Sequence, residues 1–297
     1  HRGRAFDHPS FGGWVSYALG SPNKNLPSFV NIGRPSSPVQ LTGGYLGASY
    51  SATPFQAGKT PIPNLYPPKG GSATERDRQM RLLQSMNADF RQRYAINSDI
   101  QARTKAYELA ARMQTSAPEA VDFAKEPAHI QSLYGLDDDH TQDFGKQLLL
   151  ARRLAERDVP FVQLFHRGWD QHGNLPKAIR NQCKDVDQPA AALVKDLKQR
   201  GLLDDTIVIF GGEFGRTVYS QGKLTKDSHG RDHHGRCFSS WVAGGGFKRG
   251  LEYGRTDDYS YNILENPVHV NDLNATVLRA LGIDHERFTY RYLGLDQ

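Results

Sequence analysis

The stretch Thr206-Ile207-Val208-Ile209-Phe210-Gly211-Gly212 decides the fold class. Its β-branched and aromatic residues run without interruption into two glycines, over a length that suits a strand and not a helix. An unbroken apolar run of this kind predicts a strand buried on both faces of a parallel sheet. Upstream, Asp187 to Arg200 predicts a helix stopped by Gly201 at its C′ position. Further back, Pro160 to His166 reads as another strand, preceded by an amphipathic helix from Phe144 to Arg157. Downstream, a third strand from Phe238 ends in Ala243 and Gly244-Gly245-Gly246, and Asn271 or Asp272 caps a final helix that reaches Leu281. Helix and strand alternate throughout, which predicts an α/β fold with a mainly parallel sheet.

Residues 1–75 hold 10 of the 16 prolines and 11 of the 29 glycines, so long regular elements are not expected there. This segment reads as an irregular wrap over a sheet or as part of a lid on the substrate side. Between Glu75 and Thr115 glycine and proline vanish and helix formers take over, with Leu82, Leu83, Met86 and Phe90 at helical spacing as core candidates. The expected organisation is one domain over 1–297: a wrap or lid to 75, a helical insertion over 76–140 and an α/β core over 141–297.

Lys and Arg number 37 against 32 Asp and Glu, a formal charge of +5, with both signs scattered. That mild field favours small anionic substrates, and without a basic stripe interleaved with aromatics it argues against nucleic acid. No apolar run approaches the roughly 18 residues of a membrane span. Cys183 and Cys237 stand outside any CxxC or CxxH spacing, so neither a disulfide framework nor thiolate zinc is expected.

Ligands of open parallel sheets bind beyond the carboxyl ends of strands, where loops converge. Three such loops carry metal-ligand chemistry: Asp170 and His172 after the first strand, Glu213 after the second, and His233 and His234 before the third. Carboxylates and imidazoles together suit Zn²⁺, Mn²⁺ or Mg²⁺. Each has a plainer reading as well: a turn carboxylate with a solvated imidazole, a Glu213–Arg216 ion pair, a histidine pair in a surface loop. Arg216 and Arg231 would grip a tetrahedral oxyanion with their guanidinium forks or simply neutralise Glu213 and Asp232. His166, at a strand end, would support a ligand from behind or touch substrate.

Asp7-His8-Pro9-Ser10-Phe11-Gly12-Gly13-Trp14, Phe161 to Asn174, Gly211 to Thr217, Gly230 to His234 and Glu265 to Val270 together resemble the sulfatase-like domain-of-unknown-function family of the alkaline phosphatase superfamily. The resemblance implies a three-layer sandwich with two metal positions. It implies Asp170 and His234 as first-metal ligands, with His172 and His233 as the neighbouring imidazoles, and Glu213 at a second position. The sequence departs from that pattern at Asn174 and Phe214, where the family has histidines. Neither Cys-x-Pro-x-Arg nor Ser-x-Pro-x-Arg occurs, since Ser116-Ala117-Pro118-Glu119-Ala120 lacks the arginine. The resemblance therefore places the nucleophile and an N-terminal strand before His1, and implies export to the periplasm or the cell exterior.

The expected function is a metal-dependent hydrolase-type domain acting on sulfate or phosphate esters, sulfated polysaccharide among them, with Zn, Mn, Mg or Ca as Lewis acid. The alternative is a non-catalytic module that binds sulfated or phosphorylated glycans in a basic cleft.

Overall fold

A computed structural model describes residues 8–35, 37–57, 62, 72–93 and 98–297. Asp7 and the proline-rich stretch 63–71 lie outside them. The described chain forms two compact units, residues 1–126 with 149–165, and residues 127–148 with 166–297. These divisions fall at neither of the boundaries, 75 and 140, expected from composition.

The first unit contains α1 (Phe11–Leu19), β1 (Phe29–Ile32), β2 (Thr53–Phe55), α2 (Ala73–Arg93), α3 (Ser98–Val121), the end of α5 (Gln142–Ala155) and β3 (Phe161–Leu164). The strands form a parallel sheet in the order β2-β1-β3. The segment expected as an irregular wrap or lid thus supplies the middle strand. All four residues of β1 are buried, and Val30 and Ile32 join Leu26, Phe55, Leu150 and Leu154 in one apolar core. Burying each large apolar side chain contributes about 1.5–3 kcal/mol, so a four-residue strand in this position is well anchored. Helix α1 begins at Ser10, whose hydroxyl accepts the Gly13 N–H at 3.2 Å. It lies close on the sheet because Gly12 has no side chain: a Cβ there would sit 2.5 Å from the Phe29 ring and 2.7 Å from Phe161. The apolar residues of α2 do not follow expectation. Leu82, Leu83, Met86 and Phe90 are exposed rather than core, because periodicity marks a face without supplying an element to cover it.

The second unit contains α4 (Ala128–Leu133), the start of α5 (Gln142–Ala155), α6 (Leu175–Gln199), β4 (Ile207–Gly211), β5 (Gly215–Gly222), β6 (His229–His234), β7 (Ser240–Gly244), β8 (Arg255–Thr256), β9 (Ile263–Glu265), α7 (Val270–Ala280), β10 (Arg291–Tyr292) and β11 (Leu295–Asp296). Helix α6 ends as its sequence predicts: Gly201 takes φ +72° and its N–H reaches the Lys198 carbonyl, while the Leu202 N–H reaches Leu197. Helix α7 is capped not by Asn271 or Asp272 but by His269, two residues before Asn271. The His269 Nδ1 accepts the Asn271 N–H at 3.2 Å, and Asp272 returns a bond to the His269 N–H at 2.9 Å.

The deciding stretch is a strand, but not the expected kind. β4 pairs antiparallel with β7, and the β5–β6 hairpin is inserted between them. Ile209 on β4 and Trp241 on β7 remain exposed. Parallel pairing among the described residues is confined to β1, β2 and β3, so the fold is α/β with a small parallel sheet. An apolar run reports the chance of burial and is silent on the direction of the partner strand. No helix among the described residues is long and apolar enough to cross a membrane. Both cysteines are free thiols, Cys237 buried and Cys183 half-buried.

Candidate metal centre

The site lies wholly in the second unit and is assembled by one backbone approach. The loop leaving β3 passes through Asp170 and His172 and meets the β5–β6 hairpin edge-on. Gly230 and Gly222 make that meeting possible: a Cβ on Gly230 would lie 2.0 Å from the His172 carbonyl carbon, and one on Gly222 would lie 2.7 Å from its oxygen. The two chains are joined there by Arg231 N–H to the Gln171 carbonyl (3.0 Å) and Asn174 N–H to the Ser228 carbonyl (3.3 Å). Asn174 itself adopts a left-handed conformation, φ +53°, as the loop turns into α6.

Three ligand atoms converge at this junction. The Asp170 Oδ1 lies 2.8 Å from the His172 Nε2 and 3.0 Å from the His233 Nε2, and the two nitrogens are 3.1 Å apart. Donors bound to one tetrahedral zinc at about 2.0–2.1 Å are separated by about 3.3 Å, so this triangle needs only a slight expansion to hold such an ion. All three groups are solvent-accessible, Asp170 most of all. His172 is oriented from behind by Gln221, whose Oε1 is 2.5 Å from the imidazole Nδ1. With the amide oxygen facing it, a neutral His172 holds its proton on Nδ1 and offers the Nε2 lone pair to a cation in the triangle. His233 is flanked by the Phe214 ring, 4.4 Å between centroids.

Arg216 completes the site. One guanidinium nitrogen donates both to Asp170 Oδ1 and to the Trp169 carbonyl, each at 2.9 Å. Its Nη1 is buried and has no hydrogen-bond partner among the described residues. The Asp170 carboxyl is held down to about 2, first by the hydrogen bond from His233 and then by that from Arg216.

Of the residues expected from sequence, Asp170, His172 and His233 are brought together, and Arg216 joins them. His234 and Glu213 are not part of the group. Successive residues of a strand face opposite ways, so while His233 points at Asp170, His234 is buried on the other side of β6. There it stacks on Tyr261 (4.5 Å, 7° between planes) and its Nε2 meets the Tyr261 carbonyl at 2.7 Å. Glu213 is exposed in the turn between β4 and β5. Arg231 is directed to the Thr217 carbonyl, at 3.3 Å, and not to the triangle. His166 sits among Phe144, Trp169 and Asp185, next to the site loop but not in the triangle. Gln221 and the Trp169 carbonyl carry no signal in the sequence; the hairpin register alone brings them in.

The family model described as "Protein of unknown function (DUF1501)" matches residues 2–297. The chain belongs to the DUF1501 family. No sulfatase or alkaline phosphatase family model matches, which corrects the sulfatase-like resemblance drawn from the motifs. The second metal position and the export that followed from that resemblance lose their support with it. No curated protein and no solved structure matches this DUF1501 chain. Its site therefore has to be understood from its own geometry.

Proposed function

We propose that this DUF1501 chain is a metal-dependent hydrolase-type domain, in which Asp170, His172 and His233 hold one divalent cation and Arg216 binds the non-bridging oxygens of a sulfate or phosphate ester. The observation that carries the reading is the convergence of a carboxylate oxygen and two imidazole nitrogens within 2.8–3.1 Å, with the His172 lone pair turned inward by Gln221. Two imidazoles and one carboxylate suit Zn²⁺ or Mn²⁺ better than Mg²⁺ or Ca²⁺, which prefer all-oxygen shells. The cation would supply Lewis acidity toward the ester and a lowered pKa for water. Arg216 would stabilise charge gathering on the ester oxygens, its side chain being partly exposed beside the triangle and its Nη2 holding Asp170 in place. Phe214 covers one side of His233 and limits the directions from which water reaches it. The three-layer sandwich expected from sequence belongs to this proposal as well.

A second reading, a non-catalytic module for sulfated or phosphorylated glycans, is favoured by one observation. The Asp170 charge is already matched by Arg216 at 2.9 Å without any cation.

Elemental analysis of the chain after exposure to Zn²⁺ and Mn²⁺, together with an aryl sulfate and phosphate ester panel, separates the two. The hydrolase reading expects about one cation per chain, lost together with turnover in Asp170→Ala and His233→Ala. Turnover that survives in both variants would overturn it. Retention on a sulfated polysaccharide that is unaffected by chelator, with no turnover, would leave the binding module.

A further inference from the structure

We infer that Trp169 and His166 are positioning residues for the metal centre, forming a latch that holds when His166 is neutral and opens when it is protonated. The inference rests on the site reading above. Trp169 occupies the residue before Asp170 and is tied on both sides. Its indole N–H donates to the His166 Nδ1 at 2.9 Å, and its carbonyl accepts from the Arg216 Nη2 at 2.9 Å. That same nitrogen donates to the Asp170 Oδ1 at 2.9 Å. A continuous path therefore runs from the His166 ring through Trp169 to the guanidinium that orients the carboxylate ligand. None of these three bonds involves a group of the metal triangle except the last.

The His166 ring is itself held. The Phe144 ring packs edge-on at 5.0 Å from α5, and Trp169 packs at 5.8 Å. The charged group facing it is Asp185 on α6, whose Oδ2 is 3.7 Å from the His166 Nε2. Across that carboxylate lies His140, from the turn before α5, at 3.8 Å from the other oxygen. Only a neutral imidazole whose proton is on Nε2 has a lone pair on Nδ1 for the indole; an imidazolium presents N–H against N–H. Burial pushes the His166 imidazole below its ordinary value, against the opposing influence of Asp185. The latch is therefore closed at neutral pH and opens in acid. A merely structural aromatic cluster would have no such dependence.

The chain has three tryptophans, so three indole N–H resonances are expected in its ¹⁵N spectrum, and that of Trp169 is identified by its loss in Trp169→Phe. In wild-type chain without metal this resonance should titrate with a midpoint below about 6.5, and the titration should vanish in His166→Gln, whose amide oxygen accepts the indole at any pH. At neutral pH, His166→Phe should weaken Zn²⁺ binding by roughly tenfold, the scale set by loss of groups that orient ligands, with His166→Gln close to wild type. An indole resonance that does not respond to pH, or a His166→Phe variant that binds Zn²⁺ as wild type does, overturns the latch. A wild-type chain that takes up no cation overturns the site reading instead, and does so without reference to the resonance.

Discussion

Each unit of this chain holds a cluster of ionisable side chains, and the two differ in burial and in the groups that surround the carboxylate. In the first unit Glu126 is 5% exposed and lies between Arg152, 1% exposed, and Arg153, 6% exposed. Its oxygens meet Arg152 Nη2 at 2.7 Å and Arg153 Nη1, while Arg153 also donates to the carbonyls of Ala120 and Glu119 at the end of α3. The opposite charges are paired, with Glu156 also beside Arg152, and the result ties a helix end to α5. In the second unit Asp170 is 66% exposed and shares its space with two imidazole nitrogens, of which one turns a lone pair inward. The carboxylate there is met by His233 and Arg216 at an open surface. A buried cluster of paired charges specifies structure, whereas an open cluster of a carboxylate and two imidazoles is suited to take up a cation.

The comparison is broken most severely through the buried cluster. Replacing Glu126 by Ala removes the carboxylate that the two buried guanidinium groups share, although Arg152 keeps Glu156, and unfolding by denaturant should show a loss of about 3–5 kcal/mol. Cation uptake by the folded fraction should be unchanged, since none of these residues touches the triangle. Next in size is Gly230→Ala. The added methyl would meet the His172 backbone at 2.0 Å, so the hairpin must move off the site loop, at a cost of about 1–3 kcal/mol. Here cation uptake should fall along with stability, a coupling that calorimetric titration with Zn²⁺ would reveal.

Acid distinguishes the clusters more gently. Asp170 is held down to about 2, so the support it draws from His233 and Arg216 is present above the ordinary carboxylate range near pH 3.9 and is lost as pH falls through 2. Carboxyl ¹³C shifts should place its titration there, and Arg216→Gln should move it upward. Glu126 is also lowered: burial alone would raise it, but the hydrogen bonds and charges of Arg152 and Arg153 outweigh that. Its contribution is likewise lost toward acid, and as a buried group its protonation should coincide with unfolding of the first unit. The smallest effect is a null one. Glu213→Ala and His234→Ala should leave Zn²⁺ uptake at the wild-type level, and a marked loss in either would reinstate the wider ligand set expected from sequence.

How much of the site was legible depended on the kind of information each residue carries. Asp170 and His172 were visible as ligand-type side chains directly after an apolar strand, a pattern that needs no partner to be recognised. Glu213 met the same criterion and stands in an exposed turn, because a strand end says where a side chain begins and not what it faces. The adjacent His233 and His234 were equivalent in sequence; the pleat of β6 sent one to the triangle and the other onto Tyr261. In the fold, helices α3 and α5 are readable from composition and periodicity, whereas of α6 only the part from Asp187 is, its first turns from Leu175 carrying a proline and few apolar residues. Strand β1 is not legible, though Phe29-Val30-Asn31-Ile32 is a short, mostly apolar run between turn residues, since four residues amid proline and glycine fall below what alternation can establish.

The sequence by itself determined where several helices and strands lie, the glycine stop of α6, and the loops in which ligand chemistry would be found. These follow from local causes: backbone freedom at glycine, side-chain periodicity, and the residue types that bind cations. It did not determine an alternation of helix and strand, since six strands follow one another between α6 and α7. Only the tertiary structure decided that β4 runs antiparallel to β7, that α2 leaves its apolar residues exposed, and that one of two neighbouring histidines meets Asp170. Each of those depends on which distant segment arrives beside the residue. Two glycines on the β5–β6 hairpin allow that arrival at His172.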